Sequence, residues 1–180
     1  MSAITDLKPG VWNVDPSHSR VGFVARHLMV SKVRGHFTSF SGTLTTTDDP
    51  LASKVEASVD TASITTGDEN RDGHVKSPDF FDVDKYSTMT LVSTGIDKDG
   101  SDYVLHTDLT IKGVTKPVDF ELEFDGVNDD PWGGTRAGFT ASADVSRKEW
   151  GLEWNMAIET GGVVVSDKIK LELEIEAVKA

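Results

Sequence analysis

Side chains able to bind or transform a ligand are sparse in this chain. The five histidines, His18, His27, His36, His74 and His106, include no HxxxH or HxH arrangement that would present two imidazoles to one metal ion. The first three are spaced nine apart, which does not bring them together on strands joined by turns. Ser17, His18 and the many carboxylates contain the ingredients of a nucleophilic triad, but no GxSxG elbow or SxxK context sets its geometry. GxGxxG and P-loop patterns are also missing, so nothing calls for a nucleotide or any other cofactor. The densest polar cluster is Arg71, Asp72 and His74. Arg71 either pairs with a carboxylate that fastens its segment down or faces an anionic head group. His27 shares a strand phase with Val21, Phe23 and Ala25, which turns it inward, either against a ligand or as a buried imidazole satisfied by a neighbour.

Composition narrows the field further. A chain of 180 residues, 37% hydrophobic, supports one sizeable core, with residues 1–10 as an N-terminal extension and 11–180 as a single domain. With no cysteine, disulfides, thiolate metal sites and thiol nucleophiles are excluded. Eighteen Lys and Arg against thirty Asp and Glu give a net charge of −12, which repels nucleic acid and anionic leaflets unless a local basic patch exists, and no basic run is present. The opening MSAITDLKPG has no basic stretch leading into an apolar one, and no segment approaches a membrane span. The expectation is a cytoplasmic protein without stable membrane insertion.

The elements that position these residues show a period of two. Phe120, Leu122 and Phe124 alternate with acids, as do Ile169, Leu171, Leu173 and Ile175 with Lys and Glu. Val55, Ala57 and Val59, and then Phe139, Ala141, Ala143 and Val145, repeat the pattern. Segments 11–15, 19–27, 33–47, 87–97 and 102–111 alternate less cleanly but are rich in Val, Thr, Ile and Phe. Eight or nine such strands make an all-β domain, a closed barrel or a two-sheet sandwich. Small residues on the apolar phase, among them Ala25, Ala57, Ala141 and Ala143, favour a barrel with a partly unfilled lumen. Between Thr66 and Lys85 the alternation stops, and the pattern predicts a short helix, a kink at Pro78 and a second helical turn, with Phe80 or Phe81 packed inward. Residues 147–155 predict another helical turn at a rim, Gly161-Gly162 a flexible loop, and the four Trp core or rim packing.

Several motifs in order resemble one family. Trp12-Asn13-Val14-Asp15-Pro16-Ser17-His18-Ser19, Val21-x-Phe23-x-x-x-His27 and Val33-x-Gly35-x-Phe37 are followed by Asp60-x-x-Ser63-Ile64-Thr65-Thr66 and by Arg71 through Asp82. Leu109 through Lys116, Arg147-x-x-Trp150-Gly151 and Asp167-x-Ile169-x-Leu171 complete the set over nearly the whole chain. The chain thereby resembles the YceI-like, or polyisoprenoid-binding, family, and its one departure within these motifs, Val75 where Leu is frequent, is chemically mild. The resemblance implies an extended antiparallel lipocalin-like β-barrel with short capping helices, often assembled as a homodimer. It implies noncatalytic binding, storage or transport of a polyisoprenoid, quinone-like or fatty-acyl ligand in an apolar tunnel. Carried onto this sequence, the tunnel wall comprises Phe23, Ala25, Phe37, Met89, Leu91, Phe139 and Ala141, with Phe80 and Phe81 from the insertion, while His27, Arg71 and His74 are the candidates for head-group contact. An enzyme acting on such a lipid and a stress-related accessory protein are the alternatives.

Overall fold

The computed structural model describes residues 3–156 and 164–180, so the predicted Gly161-Gly162 loop lies outside the described residues. The strands are β1 (Gly10–Val14), β2 (Arg20–His27), β3 (Ser31–Phe37), β4 (Phe40–Thr46), β5 (Lys54–Asp60), β6 (Ile64–Thr65), β7 (Thr88–Asp99), β8 (Asp102–Ile111), β9 (Val114–Asp129), β10 (Thr135–Ser146) and β11 (Lys168–Lys179). One helix, α1 (Glu69–Lys76), lies between β6 and β7. Every pairing is antiparallel, in the order β1-β4-β5-β7-β8-β9-β10-β11-β2-β3-β6, and β1 pairs back onto β11.

The sheet is therefore an up-and-down barrel with eight wall positions, three of them broken strands: β1 with β2, β3 with β4, and β5 with β6. β11 pairs through Ala177–Lys179 with β1 and through Lys170–Glu174 with β2, so one edge serves both halves of the first wall strand. The first break is the turn Pro16–His18, where Asp15 accepts from the Ser17 N–H, and the third is Thr61–Ser63, capped by Asp60. The predicted strand 33–47 splits at Thr38 and Ser39, whose backbone bonds to Ser63 and Asp60 tie the second break to the third. Closure through β11 covers the edges of β1 and β2, whereas β6 pairs with β3 only at His36 and Phe37 and has no pairing with β7, and the chain from Thr66 to Ser87 follows at that gap.

α1 forms where the sequence expects a helix, with Asp68 capping the Arg71 N–H. The predicted second helical turn is replaced by tight turns: the N–H groups of Phe81 and Val83 reach back to the carbonyls of Val75 and Lys76, and Asp82 takes a left-handed φ of 51°. The rim turn at Arg147–Trp150 is present and stops at Gly151, whose φ of 81° suits a residue without a Cβ.

One end of the barrel is closed by the N-terminal segment. Leu7 packs with Trp12, Ala137 and Ala177, and the Trp12 indole N–H donates to the Lys8 carbonyl at 3.2 Å and the Thr46 hydroxyl at 3.1 Å. Trp150 is also buried, donating to the Leu109 carbonyl at 3.0 Å. Trp132 departs from the expected core or rim packing: it is 85% exposed, because the Asp130–Gly134 turn ties its backbone and leaves the indole in solvent.

Outside the closed end, Arg136 Nη1 donates to Asp15 at 2.8 Å and Glu176 at 2.7 Å, and its Nε donates to Asp130 at 2.8 Å. Asp15, His18 and Glu176 hold ligand-type atoms within 4.8 Å of one another, a spacing that suits a cation, but the Arg136 guanidinium already bridges the two carboxylates. Hydrogen bonds from His18, Ser17 and Arg136 hold the Asp15 carboxyl well below the usual carboxylate range, and Arg136 with the Gly134 N–H does the same for Asp130. Downward shifts stabilise fully above the ordinary carboxylate pKa of about 4, and that stabilisation drains away as the pH falls. Arg136→Met is expected to lower the urea unfolding midpoint at neutral pH and to flatten the loss of stability between about pH 4 and pH 2. Urea titrations followed by Trp fluorescence at each pH check this; an acid limb as steep as in the parent chain would remove Arg136 from the account.

Candidate ligand-binding site

Alternation in a closed barrel sends every second side chain into one shared space, and here those side chains do not fill it. A cavity of about 630 Å³ runs along the lumen, from Ile4 and Leu7 at the closed end to Thr66, Arg71, His74 and Trp154 at the other. All twelve residues singled out from the sequence line it: Phe23, Ala25, His27, Phe37, Arg71, His74, Phe80, Phe81, Met89, Leu91, Phe139 and Ala141. Its width comes from small residues set opposite one another, Gly42 facing Ala57 across β4 and β5, and Ala141 lying between Leu122 and Leu173.

The aromatic wall is tightly specified. The Phe23 ring lies 6.0 Å from Phe37, and Phe81 meets Phe37 edge-on at 5.9 Å. Phe23 lies directly across from Gly35, where a Cβ would sit 2.3 Å from the Phe23 ring, so glycine is required there by space. Phe124 and Phe139 pack at 5.5 Å toward the closed end. At that end the Ser53 hydroxyl is buried, borders the cavity and has no hydrogen-bond partner among the described residues.

Polar groups gather at the opposite mouth. Asp72 accepts from the Thr66 N–H at 2.7 Å and from its hydroxyl, while Arg71 donates through Nε to the Thr66 hydroxyl at 2.8 Å and through Nη2 to the Thr66 carbonyl at 2.7 Å. Burial pushes the Asp72 carboxyl up, but the Thr66 bonds and the charges of Lys76 and Arg71 outweigh it and hold the group below its usual value. Arg71 thus fastens α1 through Thr66 rather than through a carboxylate, and it remains exposed at the rim. His74 Nε2 lies 2.9 Å from Asp79, with its ring edge-on to Trp154 at 4.5 Å and to Phe80 at 5.2 Å. His27 is exposed at the end of β2, bridged to Val165.

Arg147 was legible only as part of a motif, yet it organises this mouth. It is 5% exposed and donates to the carbonyls of Ser166 (2.9 Å), Leu152 (2.6 Å), Trp154 (2.9 Å) and Val165 (3.3 Å), joining two chain segments around the rim. Burial pulls its pKa down, countered by Asp167 at 3.7 Å. Only a planar fork serves carbonyls on both sides at once.

Among the described residues, the cavity lining holds no hydrogen-bonded nucleophile–base pair. Ser17, His18 and Asp15 do lie together, but outside it, and Ser17 and Asp15 both approach the same nitrogen, His18 Nδ1, so the ring cannot relay a proton between them. His106 is held between Asp119 at 2.6 Å and Asp97 at 2.8 Å on the outer face, which raises its pKa. The arrangement suits enclosure of an apolar or amphiphilic molecule with its polar end at the rim. Arg147→Met is expected to cost about 3 kcal/mol of stability by orphaning buried carbonyls, and Arg147→Lys to recover only part of it. Denaturant unfolding checks the magnitude, and amide hydrogen exchange should show the loss concentrated around 152–154 and 164–166.

Comparison with known proteins agrees with this architecture. The YceI-like domain model matches residues 12–177. Protein YceI of Escherichia coli (strain UMN026) is 37% identical over 163 residues, covering 90% of this chain and 82% of that protein. The crystal structure of the Campylobacter jejuni YCEI protein superposes with a TM-score of 0.73 at 29% identity, covering 86% of this chain and 90% of that one. A polyisoprenoid binding domain from Saccharophagus degradans, implicated in plant cell wall breakdown, shares the fold with a TM-score of 0.72 at 17% identity, covering 96% and 100%. The match over residues 12–177, with 37% identity to a curated relative across 90% of the chain, places this chain in the YceI-like family.

Proposed function

We propose that the protein is a noncatalytic carrier of a long-chain amphiphile of the isoprenoid, quinone-like or fatty-acyl type. The observation that carries this reading is the continuous apolar cavity of about 630 Å³ along the barrel axis. At ~30 Å³ per water-sized group, such a volume takes a chain of on the order of 20 carbons. Each enclosed CH₂ recovers roughly 0.8 kcal/mol before the costs of ordering and association, so tight binding needs no covalent chemistry. His27, Arg71 and His74 at the rim offer donors to an oxygenated head group. The fold shared with a polyisoprenoid binding domain makes a prenyl chain the first ligand to test.

Native mass spectrometry of freshly purified protein, with identification of what denaturation releases, is the direct test. A stoichiometric prenyl, quinone or acyl adduct is the expected result, and the same spectra report whether the chain is a homodimer. Protein that carries nothing and takes up neither prenyl nor acyl probes would refute the carrier reading. Turnover of a bound lipid, lost on changing His74 or Arg71, would favour an enzyme. Ala57→Trp places an indole in the lumen at the wide point where Gly42 and Leu91 flank Ala57. It is expected to weaken binding of a fluorescent fatty-acyl probe by on the order of 100-fold while leaving the far-ultraviolet circular dichroism unchanged.

A further inference from the structure

The charge of this protein is unevenly placed. Between Arg20 and Thr47 there are four of the eighteen Lys and Arg and none of the thirty Asp and Glu. Strand pairing gathers three of these cations on the outer face of the β2–β3 hairpin: Arg26 lies directly across from Lys32, and Arg34 lies across from Val24, whose other neighbour is Lys170 of β11. The fourth, Arg20, lies across from Glu174. Like charges on directly opposed residues destabilise a sheet. Among the described residues, Arg26, Lys32 and Arg34 have no carboxylate within ion-pair distance. On the neighbouring strand Glu172 is engaged with Lys170, and in the loop before it Asp167 is engaged with Arg147 and Lys148.

The tip of the same hairpin is apolar. Leu28 is 38%, Met29 51% and Val30 79% exposed. Leu28 and Met29 hold φ values of 51° and 62°, a conformation for which hairpins ordinarily use Asn and Gly. The hairpin backbone is nonetheless anchored, with the Leu28 N–H donating to Val164 and the Ser166 N–H to Arg26. The tip therefore presents three apolar side chains in a fixed, locally costly turn, ringed by cations that have no ion-pair partner among the described residues, beside the mouth lined by Arg26, His27, Arg71 and His74. Trp132, exposed at the closed end, stands instead between Asp129, Asp130 and Gly133, without cations of its own on that turn.

We propose that the β2–β3 hairpin docks the protein on an anionic phospholipid bilayer, with Leu28, Met29 and Val30 entering the interface and Arg26, Lys32 and Arg34 meeting lipid phosphates. An apolar tip ringed by basic residues is the combination that gives reversible interfacial binding. Charge elsewhere on the chain repels the same surface, so only one orientation docks, and it sets the cavity mouth against the lipid. The purpose of docking, exchange of an amphiphile through the mouth, rests on the carrier reading, whereas docking itself does not.

The test is flotation with vesicles of phosphatidylglycerol plus phosphatidylcholine, and with vesicles of phosphatidylcholine alone. Binding is expected only to the first and should fall as salt is added. The triple variant R26Q/K32Q/R34Q is expected to bind about 100-fold more weakly. The variant L28N/M29G should bind on the order of tenfold more weakly yet unfold at higher urea, because it relieves the turn, which separates lost docking from lost folding. Equal binding to both vesicle types, no binding to the anionic ones, variants that bind like the parent, or a preference for duplex DNA would each overturn the proposal. A fatty-acyl probe delivered from ethanol, without vesicles, reads the cavity independently. Probe uptake without vesicle binding sinks docking and spares the carrier, and vesicle binding without probe uptake does the reverse.

Discussion

Closure of the sheet through β11 is the constraint on which the rest of the molecule depends. Because β11 lends one edge to both β1 and β2, the first wall strand can break at Pro16 without opening the barrel. Once the wall is closed, the pleat alone decides which side chains share the lumen, and the volume left over follows from their sizes. Gly42, Ala57 and Ala141 fall on wall positions where larger residues would consume that space. The cavity is thus a property of the whole wall, and no single residue makes it.

The parts of this fold that could be read in the sequence are those with one wet face. Phe120 and Leu122 on β9 and Leu171 and Leu173 on β11 alternate cleanly because their neighbours meet solvent. β7 and β8 were expected as strands but alternate less cleanly, because a bulge between Ser93 and Gly95 moves the inward phase from Leu91 to Ile96, and because the polar Thr107 is buried with its hydroxyl on the Val118 carbonyl at 2.8 Å. The turns after α1 look helical in composition, but the Val75 and Lys76 carbonyls are taken by backbone folding back on itself. The wall of the candidate site was accessible through periodicity and family motifs together. The role of Arg147 was not, since its place in a motif does not announce that four carbonyls will surround it. The basic face of β2 and β3 was equally hidden, because its members are separated along the chain and become neighbours only through pairing.

The two ends of the barrel solve different physical problems. At one, Trp12 and Leu7 pack without a ligand, and the surrounding carboxylates are neutralised by Arg136. At the other, His74, Phe80 and Trp154 form an aromatic rim whose position depends on hydrogen bonds from Arg147 and Thr66 rather than on a continuous sheet. Side-chain and loop contacts open at lower cost than a strand ladder. The barrel body can therefore stay rigid while the rim rearranges.

The packed floor around Trp12 also makes the lumen a ruler. On the carrier reading proposed above, a chain inserted from the rim stops where Leu7 and Trp12 begin, so its length is compared with a fixed depth. One that is too long leaves methylenes in water, and one that is too short leaves the deep wall without contacts. The Ser53 hydroxyl beside that floor adds a chemical mark at the end of the scale. A ligand whose far terminus carries an oxygen can satisfy it, and a pure hydrocarbon terminus leaves it unpaired.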